Sequence, residues 1–368
     1  MTIADTIKVV VHDSINQVTT YALEEQGDWF EDEIRAVRKF LKPGDTAVDI
    51  RANLGMYALS MASAVGDQGR IFAFEPTRET AAMLRDSAAI NGFHQLQVDP
   101  RGVAAASGSA QFQLHSESEY NQIQDLDAAT DATDECSLET IRLTSLDEWA
   151  ADQQQLGPIR LIKIDTEGQE INIIKGARQL LREQSPLILY EIKHKTQIHL
   201  ELVNAFAELG YQSYRLLPGP LVLEPFNPEE TDPFLLNLFC CKHDLATLPE
   251  NNSLFANDGP LHDPLPVPAK YGSLPRMMAL PYALARKPSW LAAIARDSEG
   301  MASRALALHE LSADETEPAS RRRAALREAW RCCKRSAVIS RPPSICRRWR
   351  APLTTTVSVS WPWKLCRA

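Results

Sequence analysis

Residues 46–57 read "TAVDIRANLGMY", and residues 56–65 run on as "MYALSMASAV". An apolar run ending in Asp49, a turn closing on Asn53 and Gly55, and then apolar residues at helical spacing predict a strand, a tight turn and a helix. A turn of this kind lets backbone approach a ligand, which favours residues with little or no side chain. Arg51, third in "DIRANLG", is the wrong residue for that purpose. Either the turn is not a cofactor loop, or it is one carrying an unusual substitution.

Outward from this turn the pattern is regular. Upstream, "WFEDEIRAVRKFL" (29–41) places Trp29, Ile34, Val37 and Leu41 at spacings near three and four, and "KPGD" (42–45) ends that helix. Residues 1–45 therefore read as a small strand and an amphipathic helix. Downstream, "RIFAF" (70–74), "TRETAAMLRDSAAIN" (77–91), a strand within 94–107, "IRLIKIDTEGQE" (159–170), "INIIKGARQLL" (171–181), "PLILYEI" (186–192) and "HLELVNAFAELG" (199–210) continue the alternation. "YQSYRLL" (211–217) and "FLLNLFCCK" (234–242) predict a closing antiparallel pair. Alternating strands and helices predict an α/β domain with a mostly parallel sheet covered on both faces. The Pro-, Asn- and Asp-rich residues 246–275 read as a linker, 276–331 as a helical appendage, and 332–368 as a basic tail without folded elements.

The formal net charge is −9, yet residues 321–368 hold thirteen Lys/Arg against one Glu, so the acidic excess lies wholly before them. An acidic body carries no electrostatic footprint for nucleic acid. The seven cysteines include two adjacent pairs and show no CxxC spacing, a poor framework for disulfides or zinc. No run approaches the roughly 20 apolar residues of a membrane span, and "MTIADTIKVVVHDS" lacks a secretion pattern. The expectation is a cytoplasmic protein. The tail reads either as an out-of-frame extension or as a basic segment for anionic surfaces.

In a doubly wound sheet, ligands bind beyond the carboxyl ends of the strands. That rule selects Asp49 and the 51–55 turn, Glu75, Asp165 with Glu167, and Glu191. An acid at one strand end is ordinarily a solvated carboxylate or a helix cap; acids at four successive ends are harder to dismiss. Glu75 stands where a carboxylate accepts hydrogen bonds from two vicinal ribose hydroxyls. The G-x-G-x-x-G of dinucleotide enzymes is missing, as is a phosphate loop, which argues against a dehydrogenase or a triphosphate enzyme. A glycine-poor turn between two acids suits S-adenosylmethionine, which brings no pyrophosphate.

Three segments, "VDIRANLGMYAL", "FAFEP" and "IKIDTEGQEINIIKGA" with "PLILYEI" behind it, resemble the FkbM-type methyltransferases of the class I S-adenosylmethionine-dependent group, over residues 28–243. The resemblance implies a Rossmann-like, seven-stranded sheet with its last strand antiparallel, and O-methylation of a hydroxyl on a sugar, glycan or natural product. It implies that Asp49, Ala52, Asn53 and Gly55 line the methionine end of the cofactor, that Glu75 meets the ribose, and that Asp165 and Glu167 border the transfer site; Arg51, which departs from the pattern, is a cofactor-site candidate through pairing with the cofactor's carboxylate. Residues 246–368 inherit nothing from it.

An alcohol needs a base as its oxygen is methylated. The candidates, in order, are Asp165, Glu191, Glu167 and His194, the last also readable as a surface residue of "KHK". The run D-x-E-x-x-E, ending at Glu170, could instead hold a hard cation, though no metal is assigned. Arg51 replaces a glycine of the family pattern, and a non-glycine residue at positive φ costs roughly 1–3 kcal/mol. The alternative function is a methyltransferase-fold binding module whose cofactor site Arg51 has closed.

Overall fold

In a computed structural model of the chain, the described residues are 1–114, 122–123, 137–154, 156–194, 197–230, 235–256, 264–271, 288 and 300–335. The chain divides into two compact units, Met1–Phe226 with Leu236–Asn257, and Asn227–Leu235 with Asp258–Ala368.

An eight-stranded sheet organises the first unit. Its strands are β1 (Thr46–Ile50), β2 (Arg70–Phe74), β3 (Leu96–Asp99), β4 (Ile159–Ile164), β5 (Leu187–Glu191), β6 (Gln212–Leu217), β7 (Val222–Pro225) and β8 (Asn237–Cys241). They lie in the order β7-β6-β8-β5-β4-β1-β2-β3. From β3 to β5 every pairing is parallel. β8 runs antiparallel to both β5 and β6. All five residues of β1 are buried, as a parallel strand covered on both faces requires.

The resemblance implies seven strands with the last antiparallel; seven such strands are there, and β7 is an addition. It pairs antiparallel with β6 at the sheet edge, from Leu217↔Val222 to Tyr214↔Pro225. Its segment, "LPGPLVLEP" (217–225), carries three prolines, the last of them in the strand. An edge strand tolerates a residue that cannot donate to the ladder.

Helices cover the two faces. On one, Ile34, Val37 and Phe40 of the helix Glu33–Phe40 join Leu59 and Ala62 of the helix Met56–Val65 in a single apolar cluster. Elsewhere, the fully buried Trp149 packs edge-on against Phe72 and Phe74 of β2, with ring centroids 5.0 and 5.4 Å apart. Trp149 sits on a short helix, Leu146–Asp152, whose start is fixed by reciprocal hydrogen bonds between Ser145 and Glu148. Inside the sheet, between β6 and β5, Cys240 and Cys241 of β8 are both fully buried.

Three features were not read from the sequence. A helix at Val18–Gln26 precedes the expected one. Between β3 and β4, strands Arg101–Val103, Gly108–Leu114, Gln122–Ile123 and Ser137–Thr144 form a separate four-stranded sheet. Past residue 246, Leu254 and Phe255 are buried, and Phe255 bridges to Leu223 of β7.

In the second unit, helices Met301–Ala313 and Ala319–Arg335 pack through Leu308, Leu311, Ala325 and Ala329. Arg304 Nε donates to Glu328 Oε1 at 2.9 Å between them. The rest of the expected appendage, most of the expected linker after 256 and the tail from 336 lie outside the described residues. Among the described residues, no helix is long and apolar enough to cross a membrane.

Candidate active site

Parallel strands deliver their carboxyl ends to one edge, so the tips of β5, β4, β1 and β2 stand side by side there. The turn after β1 is made of left-handed residues at alternate positions. Arg51 has φ 62°, Asn53 49° and Gly55 90°. Asparagine and glycine take this conformation readily, whereas arginine is strained by it. The turn after β4 repeats the device, with Glu167 at φ 55° and Gly168 at 100°. Backbone strain thus gathers where the two strands point.

The β1 turn is tied to β2 through its backbone. Ala52 N–H donates to the Phe74 carbonyl at 2.9 Å, and Asn53 N–H to Glu75 Oε2 at 2.9 Å. Thr77 N–H donates to Glu75 Oε1, also at 2.9 Å. Glu75 is buried, and burial raises its pKa. Each of its oxygens keeps a lone pair for a further donor. Gly55 has a packing role as well, because a Cβ there would run into the Leu84 side chain.

Asp49 is wholly buried, and neither carboxylate oxygen accepts a hydrogen bond. Its nearest cation is Lys163 of β4, with Nζ 3.7 Å from Oδ1. Burial pushes Asp49 up to about 6, against the pull of Lys163. Lys163 also donates to Asp165 Oδ2 at 3.0 Å. Burial opposes the lysine charge, but Asp165, Asp49 and Glu31 outweigh it and hold Lys163 above the usual range. Lys163 lies over the Tyr57 ring at 5.0 Å, and Tyr57 donates to Glu31 Oε2 at 2.6 Å.

Arg51 turns toward β4. One guanidinium nitrogen, Nη1, is 3.3 Å from Glu167 Oε1 and 3.8 Å from Asp165 Oδ1. The other oxygen of Glu167, Oε2, is 3.1 Å from His194 Nδ1. Burial raises the Asp165 pKa, but Lys163 and Arg51 hold it below the usual value. Glu191 behaves in the opposite way: burial, then Asp165, Glu167 and Glu170, push it up to about 10. Its Oε2 is buried without a hydrogen-bond partner.

Asp165, Glu167 and Glu191 offer oxygens within 4.8 Å of one another. Of the D-x-E-x-x-E run, Glu170 takes no part in this group. Its Oε1 accepts from Thr166 N–H at 2.8 Å and from Thr166 Oγ1 at 2.9 Å, and Oε2 from Gly168 N–H at 3.1 Å. That carboxylate braces the β4 turn. Positive charge among the three acids comes from Arg51, at Glu167 and Asp165, and from Lys163, at Asp165. Beside the cluster a small cleft is bordered by Ile50, Arg51, Phe74, Pro76, Val103 and Thr166.

The site residues named from sequence therefore gather along one edge. Asp49, Arg51, Asp165, Glu167 and His194 are linked by the contacts above, Glu191 joins them, and Glu75 is joined through Asn53. Ala52 enters through its backbone. Lys163, Tyr57 and Glu31 were missed. The one signal for Lys163 was a lysine inside the apolar run "IRLIKI"; for Tyr57 and Glu31 there was none.

Residues 49–213 match the Methyltransferase FkbM domain. No curated protein matches the sequence. Among solved structures, the methyltransferase FkbM of Methylobacillus flagellatus KT is 18% identical, with 54% of this chain and 43% of that one covered and a TM-score of 0.36. The match thus spans less than half of that relative's length. A SAM-dependent methyltransferase from Aquifex aeolicus is 13% identical over 60% of this chain and 91% of that one, with a TM-score of 0.33. A Streptococcus mutans protein solved in complex with SAH is 8% identical over 57% and 95%, with a TM-score of 0.34.

Proposed function

We propose, for a chain that carries an FkbM methyltransferase domain at residues 49–213, that it moves a methyl group from S-adenosylmethionine to a hydroxyl of a sugar, glycan or natural-product acceptor. The observation that carries this reading is the meeting of Asp49, Glu75, Asp165, Glu167, Glu191 and His194 along one sheet edge.

The residues fit the cofactor. Asp49 has two buried oxygens without donors, suited to the amino-acid end or its water. Glu75 keeps lone pairs for ribose hydroxyls, and the cleft beside it offers Ile50, Phe74 and Val103 to an apolar ring. Bound there, S-adenosylmethionine supplies a methyl group on a positively charged sulfur. The chain's own work is to align the acceptor and remove its proton.

The base is His194, not the first-ranked Asp165. Asp165 is held low by Lys163 and Arg51 against its burial, which makes it a weak base. Glu191, pushed up to about 10, keeps its own proton at neutral pH and can donate to an acceptor oxygen. In His194, Nδ1–H points at Glu167 Oε2, leaving Nε2 to take the hydroxyl proton as the new C–O bond forms. The Glu167 carboxylate then stabilises the imidazolium.

One observation favours the alternative of a binding module. The Arg51 side chain is only 12% exposed and is committed to Asp165 and Glu167, across the space between the β1 and β4 turns. Calorimetric titration of S-adenosylhomocysteine into the full chain separates the two. Micromolar binding that weakens at least tenfold in Glu75→Ala supports the enzyme. No binding to a protein that melts cooperatively supports the module. Screening glycan and polyketide alcohols with labelled cofactor then identifies the acceptor.

A further inference from the structure

Trp29 and Phe30 stand side by side in an acidic stretch, "DWFEDE" (28–33), at the start of the helix Glu33–Phe40. Their ring centroids are 4.5 Å apart, with the planes tilted by 44°. Trp29 is half-buried against the apolar cluster, and Phe30 is 41% exposed. Aromatic rings held partly open to water beside a polar edge are the usual material of a binding surface.

The segment is fixed in place. Arg38 donates to both oxygens of Asp28, at 2.6 and 2.8 Å, and to Ser60 Oγ at 2.9 Å. Asp28 Oδ1 also accepts from the Trp29 backbone N–H at 2.8 Å. The Trp29 indole N–H donates to the half-buried Glu31, whose Oε2 accepts from Tyr57 at 2.6 Å. The Tyr57 ring lies 5.0 Å from Lys163 Nζ, which donates to Asp165 at 3.0 Å. Contacts therefore run without a break from Trp29 to the tip of β4.

We infer that Trp29, Phe30 and Glu31 form the acceptor platform, on which a sugar ring lays its C–H face against the indole and turns vicinal hydroxyls to the Glu31 carboxylate. A pyranose has both surfaces that these residues ask for. Its axial C–H bonds make an apolar face, positive toward the negative π cloud, and its hydroxyls ring the edge. A carboxylate offers about four lone-pair sites, so Glu31 can keep Tyr57 and Trp29 and still accept from adjacent hydroxyls. An acceptor with a single hydroxyl on an apolar body gives that carboxylate less. Because the segment is anchored, little conformational freedom is lost on binding. It also precedes residues 49–213, which match the family, and acceptor choice is what differs between proteins that share a fold. The inference rests on the reading of the chain as a methyltransferase and narrows its acceptor to a sugar.

The full chain, labelled with 5-fluorotryptophan and mixed with S-adenosylhomocysteine, is to be titrated with methyl glucoside, galactoside, mannoside and rhamnoside, with cyclohexanol as the ring bearing one hydroxyl. The Trp29 fluorine line is assigned by its loss in Trp29→Phe. The expected result is a saturable shift of that line with at least one pyranoside and a weaker response to cyclohexanol. Saturation transfer to the sugar C–H protons should show binding about three- to tenfold weaker in Trp29→Leu, the scale of one lost aromatic contact, and largely kept in Trp29→Tyr. Should Trp29→Leu not fold, the wild-type fluorine shift decides. No Trp29 shift with any pyranoside, an equal shift with cyclohexanol, or sugar binding unchanged in a folded Trp29→Leu overturns the inference. A Trp29 shift in a protein that calorimetry shows not to bind S-adenosylhomocysteine upholds the platform and defeats the methyltransferase reading alone.

Discussion

Glu191 and Arg51 show how single residues at a strand tip carry conflicting demands. A glutamate pushed up to about 10 by burial and by neighbouring acids is protonated in the folded protein where the unfolded chain has already ionised it. The native state then binds more protons than the unfolded state from about pH 4.5 to about pH 10, so its contribution to stability is full below that window and declines through it. Thermal melts of Glu191→Gln should accordingly lose part of the wild-type decline between pH 6 and pH 9, gaining several degrees at pH 9 and little at pH 5. Equal slopes would remove Glu191 as the cause. For Arg51 the conflict is between two partners. Its guanidinium serves the β4 acids, yet the residue also borders the cleft with Ile50 and Phe74. Calorimetry should show Arg51→Gly binding S-adenosylhomocysteine about tenfold more tightly than wild type; equal affinities would mean the arginine does not compete with the ligand.

At the scale of elements, the turns matter more than the strands they follow. The β4 turn is braced by Glu170, whose carboxylate accepts from Thr166 and Gly168. Removing it deprives the half-buried Thr166 and the exposed Gly168 of a charged acceptor, at about 1–3 kcal/mol. Urea denaturation of Glu170→Ala should register that loss, together with weaker ligand binding, since Glu167 rides on the same turn. Gly176, at the end of helix Glu170–Lys175, has ordinary helical-side dihedrals but no room, because a Cβ would meet the Ala104 carbonyl oxygen. Gly176→Ala should therefore cost roughly 1–3 kcal/mol in the same assay, although nothing about its φ demands glycine. These two residues mark what the sequence could and could not convey. "TAVDI", "RIFAF" and "PLILYEI" announce buried strands because continuous apolar runs have few other uses, and the rule about strand tips then finds Asp49, Glu75, Asp165 and Glu191. Lys163 was hidden because its partners come from other strands, and a lysine in an apolar run gives no hint of which acids it will meet. The pairing of Arg51 with Glu167 spans 116 positions. The sheet between β3 and β4 was hidden because its strands are polar and two of them, Arg101–Val103 and Gln122–Ile123, are very short.

For the whole molecule, the division after Asn257 suggests that the first unit carries the fold and the site together. A chain stopped at residue 257 should melt cooperatively and keep its S-adenosylhomocysteine affinity within about twofold; a loss of either would tie the later residues to the site. The sheet also contains its own probe. Cys240 and Cys241 are consecutive in β8, so their side chains leave the strand on opposite faces, and both thiols are buried with pKa values raised by desolvation. Neither can be alkylated until the layer above it departs. Mass-mapped labelling over time, with Cys240→Ser and Cys241→Ser as controls, would therefore time the exposure of each side separately and reveal which helical coat comes off first.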